Sequence, residues 1–464
     1  MPRSSTIFLG ILLLGIPFVP APRTAIAIPA FARQTGLDCS GCHVGGFYPE
    51  LNHFGRMFKA NSYSLKSPEQ RPLAYEILQH FAMAQEFSYT AIQKSVGKAL
   101  TKNEGTNFFV NENAGFSLPQ QASFFYGGEI YKKLGAFVMG TYDATDDAWA
   151  VDTTDVRYAD TVKFGDQTLL YGITMNNGPT IEDLWNTTPT WSFPYASSEI
   201  APGPAAGTFI GGIGQQVAGA GPYLMWNQTA YLAVTPYFSG RSGIFSPLTA
   251  GTTKEQIIDG VAPYWRLAVF HDEGAHDIEV GTFGAWASAH ASGAEGPKNR
   301  YLDLGEDLQY QYVTNPHSFT LKASLLFEAQ HNDGSVRLGE AEHSHDPLLV
   351  ANVNASYYYQ NVVGVTLGYF STSGRSDAGL YSPDPIDGSR NGKPRSQWGV
   401  AELDFLPFSH FYRPASYIPA VAMTKLSLQY VFYGPFNGQS ANYDGFGRDG
   451  SDNNTFFALL WVPW

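Results

Sequence analysis

Cys39-Ser40-Gly41-Cys42-His43 places two thiols on either side of a dipeptide, with an imidazole directly after the second. This CxxCH order is the attachment pattern of haem c: the thiols bond to the vinyl groups and the histidine ligates iron on the proximal side. The chain has only these two cysteines, so no disulfide framework is available to staple loops. Two other chemistries use the same thiols. A redox dithiol suits an oxidising compartment but does not require His43, and a zinc site lacks a second Cys or His cluster nearby.

A haem iron held by His43 has a sixth position. A methionine there raises the reduction potential and a second histidine lowers it. Residues 51–63 read as a helix able to fold back over the haem, which makes Met57 the first candidate for the distal ligand. His53, four residues earlier on the same helical face, is the alternative. Simple packing of Met57 against the porphyrin or a wall is an equal reading.

The elements that must hold this motif follow from its surroundings. Arg3, the apolar run from Ile7 to Val19 and Ala25-Ile26-Ala27 have the order of a secretory signal peptide, assigned to 1–27. Removing its two positive charges takes the formal charge from -13 to about -15. So acidic a chain argues against nucleic acid as partner and suits a cationic one. The motif then belongs to a segment, 28–71, expected to be a monohaem cytochrome c domain.

From about residue 72 to 464 the sequence alternates apolar and polar positions over runs of roughly ten residues, the mark of strands with two different faces. Phe319, Leu321, Ala323, Leu325 and Phe327 alternate with Thr320, Lys322, Ser324, Leu326 and Glu328. Ala351 to Gln360 and Leu426 to Tyr433 repeat the pattern, and Phe456, Ala458, Leu460, Val462 and Trp464 carry it to the last residue.

About sixteen such segments are expected, starting near residues 73, 118, 135, 156, 168, 222, 229, 263, 278, 301, 318, 349, 363, 397, 425 and 454. Short connections (132–134, 314–317, 360–362) alternate with long ones (177–221, 372–396, 435–453). This predicts a mainly β fold: an outer-membrane β-barrel of about sixteen strands, short turns toward the periplasm and long loops outside, in contact with outer-membrane lipid. Roughly 30 residues between His43 and the first strand are too few to enclose a haem alone. Phe31, Phe47, Phe54 and Phe58 cover part of it, and the lumen is the natural remaining container. Phe457, Leu459 and Trp461, facing inward, suggest a filled barrel.

Ile28-Pro29-Ala30-Phe31-Ala32-Arg33-Gln34-Thr35-Gly36 before the motif, then Pro49-Glu50-Leu51, Phe54-Gly55-Arg56 and Phe58-Lys59 after it, resemble the fused cytochrome-porins known as outer-membrane iron oxidases. The likeness continues through Gly135-Ala136-Phe137-Val138, Tyr142-Asp143, Asp155-Val156-Arg157-Tyr158-Ala159-Asp160, Asn176-Asn177-Gly178-Pro179-Thr180 and Asp183-Leu184-Trp185-Asn186. Two departures are a longer linker, 44–48, and Ser62 where a glycine before Tyr63 is usual. The resemblance implies an iron(II):cytochrome oxidoreductase that passes electrons from extracellular iron(II), through one covalent haem c, to a periplasmic cytochrome or other soluble carrier.

Under that reading two acidic loops attract the cation. Strand parity puts Asp143, Asp146, Asp147, Asp152 and Asp155 on one outer loop, and Glu340, Glu342, His343, His345 and Asp346 on another. Oxygen and imidazole donors suit iron(II), although charged loop tips are also ordinary solvated surface. Two alternatives of different class stand beside the oxidase: a solute porin whose haem is structural or sensory, and an exporter of electrons to external acceptors.

Overall fold

The computed structural model describes residues 29–463, apart from 48, 65–76, 97–106, 112, 145–146, 241–242, 253–256, 294 and 410–422. The expected signal peptide, the boundary at 72 and Asp146 lie outside the described residues. Among the described residues seventeen strands form one sheet. They are β1 (Phe81–Ile92), β2 (Asn107–Asn111), β3 (Ala114–Tyr131), β4 (Leu134–Asp143), β5 (Ala148–Phe164), β6 (Gln167–Asn176), β7 (Val217–Trp226), β8 (Ala230–Ser239) and β9 (Ala262–Glu273). The second half comprises β10 (His276–His290), β11 (Lys298–Val313), β12 (His317–His331), β13 (Leu348–Tyr359), β14 (Val363–Gly374), β15 (Ser396–Phe405), β16 (Lys425–Tyr433) and β17 (Thr455–Pro463).

From β2 onward each strand pairs antiparallel with the next, and β1 closes the ring against β17, with Tyr89 opposite Ala458. On its other side β1 pairs with β3, with Tyr89 opposite Phe116, so sixteen strands make the closed barrel. The extra strand, β2, pairs with the outer end of β3, where β4 no longer reaches. Closure satisfies every wall strand on both edges, which is what a strand in hydrocarbon requires.

The two faces have opposite solvents. Along β12, Ser318, Thr320, Lys322, Ser324 and Glu328 are buried inside, while Leu325 and Phe327 are exposed outside. On β17, Phe456 and Leu460 point out and Phe457 and Leu459 point in, as their alternation predicts. The exposed aromatic residues gather near both rims: Tyr131, Phe164, Trp226 and Tyr359 at one, Phe116, Trp149, Phe238 and Trp286 at the other. An apolar exterior between aromatic girdles around a polar interior is the construction of an outer-membrane barrel. Among the described residues no helix is long and apolar enough to cross a membrane.

One rim carries tight turns. Lys132, Asn227, Gln228, Gln360 and Asn361 all take positive φ there, as tight two- and three-residue hairpin turns demand. The exception on that rim is the connection 406–424 between β15 and β16, longer than the expected alternation allows. The first strand starts at Phe81 rather than near 73, after a helical turn at 77–78. At the opposite rim β4 and β5 continue to the pair Asp143↔Ala148. Asp152 and Asp155 therefore lie within β5, not on the outer loop expected for them. A run rich in Asp and Thr reads as loop, but here its inward positions face a polar lumen.

Two segments occupy that lumen. Residues 29–64 enter from the tight-turn rim, and 177–216, between β6 and β7, folds inward from the other. Their apolar side chains complete the interior: Leu184 and Trp185 pack with Tyr223, Tyr231 and Phe270, while Phe209, Ile210 and Ile213 pack with Tyr237, Tyr264 and Phe283.

Candidate functional site

The CxxCH segment is a turn of 3-10 helix, Cys39–Gly41, in which the N–H groups of Cys42 and His43 both return to the Cys39 carbonyl, at 3.1 and 2.8 Å. Before it, helix α1 (Pro29–Thr35) anchors the segment to the tight-turn rim. Arg33 donates to the Phe81 carbonyl and Gln34 to that of Gly127, the latter at 2.7 Å. Phe31 stacks on Tyr63 at 5.4 Å and meets Phe58 edge-on at 5.0 Å.

After the motif the chain reverses so that Val44 N–H reaches the Glu50 carbonyl at 2.9 Å and Asn52 N–H the Cys42 carbonyl at 2.9 Å. Helix α2 (His53–Ala60) then begins, capped by the Asn52 side chain on Gly55 N–H. The same amide donates to the Ser40 and Gly41 carbonyls at 3.2 and 3.1 Å, so one residue both starts the helix and clamps the thiol turn. Gly55 is required by that approach: a Cβ there would sit 2.3 Å from the Cys42 carbonyl oxygen.

Both cysteines are free and half-buried. Burial pushes the Cys39 thiol up to about 12 and that of Cys42 up to about 11, so both are protonated at neutral pH. Burial also lowers the His43 imidazole to about 4 against a hydrogen bond with the Glu50 backbone, leaving it neutral, the form that ligates a metal. Next to these groups the protein leaves apolar surface uncovered. Leu37, whose side chain lies against Gly41, is 38% exposed, and Phe54, on the helix packed against Cys42, is 40% exposed. A porphyrin bonded to the two thiols would cover such a surface, and the donor set and its surroundings would suit a haem c.

Of the two distal candidates, Met57 packs where wall and inner loop meet and His53 lies against the wall. Met57 packs against the cluster containing Leu184, Trp185 and Tyr223. His53 Nδ1 lies 3.7 Å from Asp272 and 3.6 Å from Asp277, and its ring is 6.4 Å from that of Phe270. Of the four expected phenylalanines, Phe47 meets Trp461 edge-on at 4.8 Å, and Phe31 and Phe58 pair with each other.

The wall grips the segment through charges. Arg56, fully buried, pairs with Asp277 at 2.6 Å and donates to Gln309 and Gln311 at 3.1 and 2.9 Å. Glu50 pairs with Lys322 at 2.9 Å and accepts from Tyr195 of the inner loop at 2.8 Å. Because the backbone of Glu50 holds His43, this contact ties the imidazole to wall and loop together. Tyr63 donates to Asp155, itself paired with Arg157 at 2.6 Å. Ser62 takes φ 57, a left-handed conformation for which glycine is the easier residue, and its hydroxyl bonds the Lys133 carbonyl at 2.8 Å.

At the outer rim the expected acidic residues separate. Asp143 and Asp152 line a cleft of 170 Å³ with Gln121, Thr141 and Gln215. Asp147 accepts from Tyr142 at 2.7 Å, while Asp155 is fully buried and committed to Arg157 and Thr174. On the β12–β13 loop, Glu340 is exposed, Glu342 accepts from Ala378 N–H, and His345 bonds Ser344 and packs edge-on against His331 at 4.4 Å. His343 and Asp346 come together with a residue the sequence did not single out, Asp377 of the β14–β15 loop. Nothing local marks Asp377, which lies 34 positions from His343 and meets it only because adjacent hairpins share a rim.

No family model and no curated protein matches the chain. Among solved structures it is similar to the outer membrane channel DcaP of Acinetobacter baumannii, with 11% identity over 83% of this chain and 96% of that one, at a TM-score of 0.42. The anion-selective porin from Comamonas acidovorans shows 10% identity over 82% and 97%, with a TM-score of 0.41. A loop L8 deletion mutant of OmpT, an outer membrane protein of Vibrio cholerae, shows 8% identity over 83% and 98%, with a TM-score of 0.40.

Proposed function

We propose that the chain is an outer-membrane electron conduit, an iron(II):cytochrome oxidoreductase that carries one haem c on Cys39 and Cys42 and takes electrons from extracellular iron(II) for a soluble periplasmic carrier. The observation that supports it is the seating of a CxxCH turn inside a closed barrel, beside uncovered apolar surface, with a neutral imidazole held by the Glu50 backbone. A bound haem supplies a one-electron iron couple. The chain's own residues do the rest: Asn52 fixes the turn on α2, His43 presents the proximal nitrogen, and Arg56 and Glu50 lock the segment into the wall. The barrel's apolar band, roughly 25 Å tall, otherwise separates an external donor from the periplasm.

A solute porin with a structural or sensory haem asks for an open lumen. Here 29–64 and 177–216 fill it with buried side chains, including Trp185, Phe193 and Phe209. The test is anaerobic stopped-flow mixing of haem-loaded protein with iron(II), following the reduced haem band. Prompt reduction is expected. Reduction by dithionite but not by iron(II) would move the assignment to another donor or to outward flow.

A further inference from the structure

The β12–β13 and β14–β15 loops meet at the outer rim, and three donor atoms face one another where they do. Nδ1 of His343 lies 3.3 Å from an Asp377 oxygen and 4.0 Å from an Asp346 oxygen, and all three atoms fall within 4.8 Å of one another. Asp346 is 1% exposed. One of its oxygens accepts from Asn332 at 3.1 Å, while the one toward His343 is buried with no hydrogen-bond donor. Nδ1 of His343 is also buried and lacks a hydrogen bond. A buried carboxylate oxygen without a donor is costly, and a cation is the partner that removes the cost.

Asp377 is built to stay anionic: the N–H groups of Glu342, His343, Gly379 and Leu380 all converge on its carboxylate. The His343 side chain is 35% exposed, so the cluster opens to solvent on one side. We propose that His343, Asp346 and Asp377 form an open, three-ligand site for a divalent first-row transition cation at the outer mouth. One imidazole and two carboxylates suit iron(II), manganese, cobalt or zinc, and the remaining positions are left to water. Ligands roughly 2.0–2.2 Å from a metal sit about 3 Å apart, so the 3.3 Å pair is nearly in place and the 4.0 Å pair needs a small rotation of His343. The proposal stands whether or not a haem is attached at Cys39 and Cys42.

The competing arrangement is an ion pair in which a protonated His343 sits between the carboxylates. Isothermal titration of the full-length protein in detergent with cobalt(II), which neither reduces nor oxidises a haem under these conditions, separates the two. One cobalt per chain is expected, with affinity lowered by roughly ten- to a hundredfold in Asp346→Asn and in His343→Ala, and unchanged in Glu340→Gln on the same loop. Asp377 is spared because its loss also frees four backbone N–H groups. Equal affinity in wild type and both ligand variants overturns the site. So does the absence of cobalt binding to a wild-type barrel whose heat-modifiable gel migration shows it folded.

Discussion

The two segments inside the barrel are held there by different means. Residues 29–64 bring their own charges: Arg56 to Asp277 and Glu50 to Lys322, pairs in which all four side chains are nearly or wholly out of solvent. Residues 177–216 bring backbone N–H groups together with the buried carboxylates of Glu182 and Asp183. The N–H groups of Phe209 and Ile210 donate to Glu328 and Asp303 of the wall, and Asp183 gathers the N–H groups of Trp185, Thr187 and Thr188 beside Arg266. Removing one member of a buried ion pair strands the other, whereas losing one of several backbone hydrogen bonds leaves the rest intact. The segment proposed to carry the redox chemistry is thus held by two buried ion pairs, each of which a single substitution breaks.

The largest effect that tests this contrast is chemical. Cys39→Ser with Cys42→Ser is expected to abolish covalent haem, read by haem staining of a denaturing gel, while heat-modifiable migration of the barrel persists. Loss of the barrel as well would show that haem attachment, rather than the charged contacts, seats the segment. Next in size is Arg56→Met, which leaves Asp277 buried without its partner and is expected to weaken the docking of 29–64 by about 3–5 kcal/mol. Hydrogen exchange should then quicken in 29–64 and remain slow in 177–216. Comparable loosening of both segments would mean that they dock as one unit through the Glu50, Tyr195 and Lys322 contact. The smallest is Asp303→Leu, which deprives one N–H of its acceptor and costs about 1–3 kcal/mol. Faster exchange confined to the turn around Ile210 is expected, and spread of the effect to 29–64 would again erase the distinction.

Different parts of this molecule were legible to different degrees. All sixteen wall strands are visible in the alternation of residues, and most begin within a few positions of where they are expected. Two strands are displaced most, β1 to Phe81 from near 73 and β5 to Ala148 from near 156, the second because Asp152 and Asp155 read as loop residues. The CxxCH turn and the helix following it were equally plain, since both are local patterns. For the distal candidates the chain offered only a shared helical face. The structure sets Met57 against the Trp185 cluster and His53 against Asp272 and Asp277.

What the sequence determined by itself is whatever repeats within a few residues: strand period, turn residues, the spacing of thiols and imidazole. Each depends on neighbours joined by short stretches of chain, so the residue types alone carry it. The tertiary structure decided which distant groups share the lumen or the rim: Arg56 with Asp277, Glu50 with Lys322, His343 with Asp377. Those pairs are separated by whole hairpins, and only closing the ring of strands into a barrel of one diameter brings them to bonding distance.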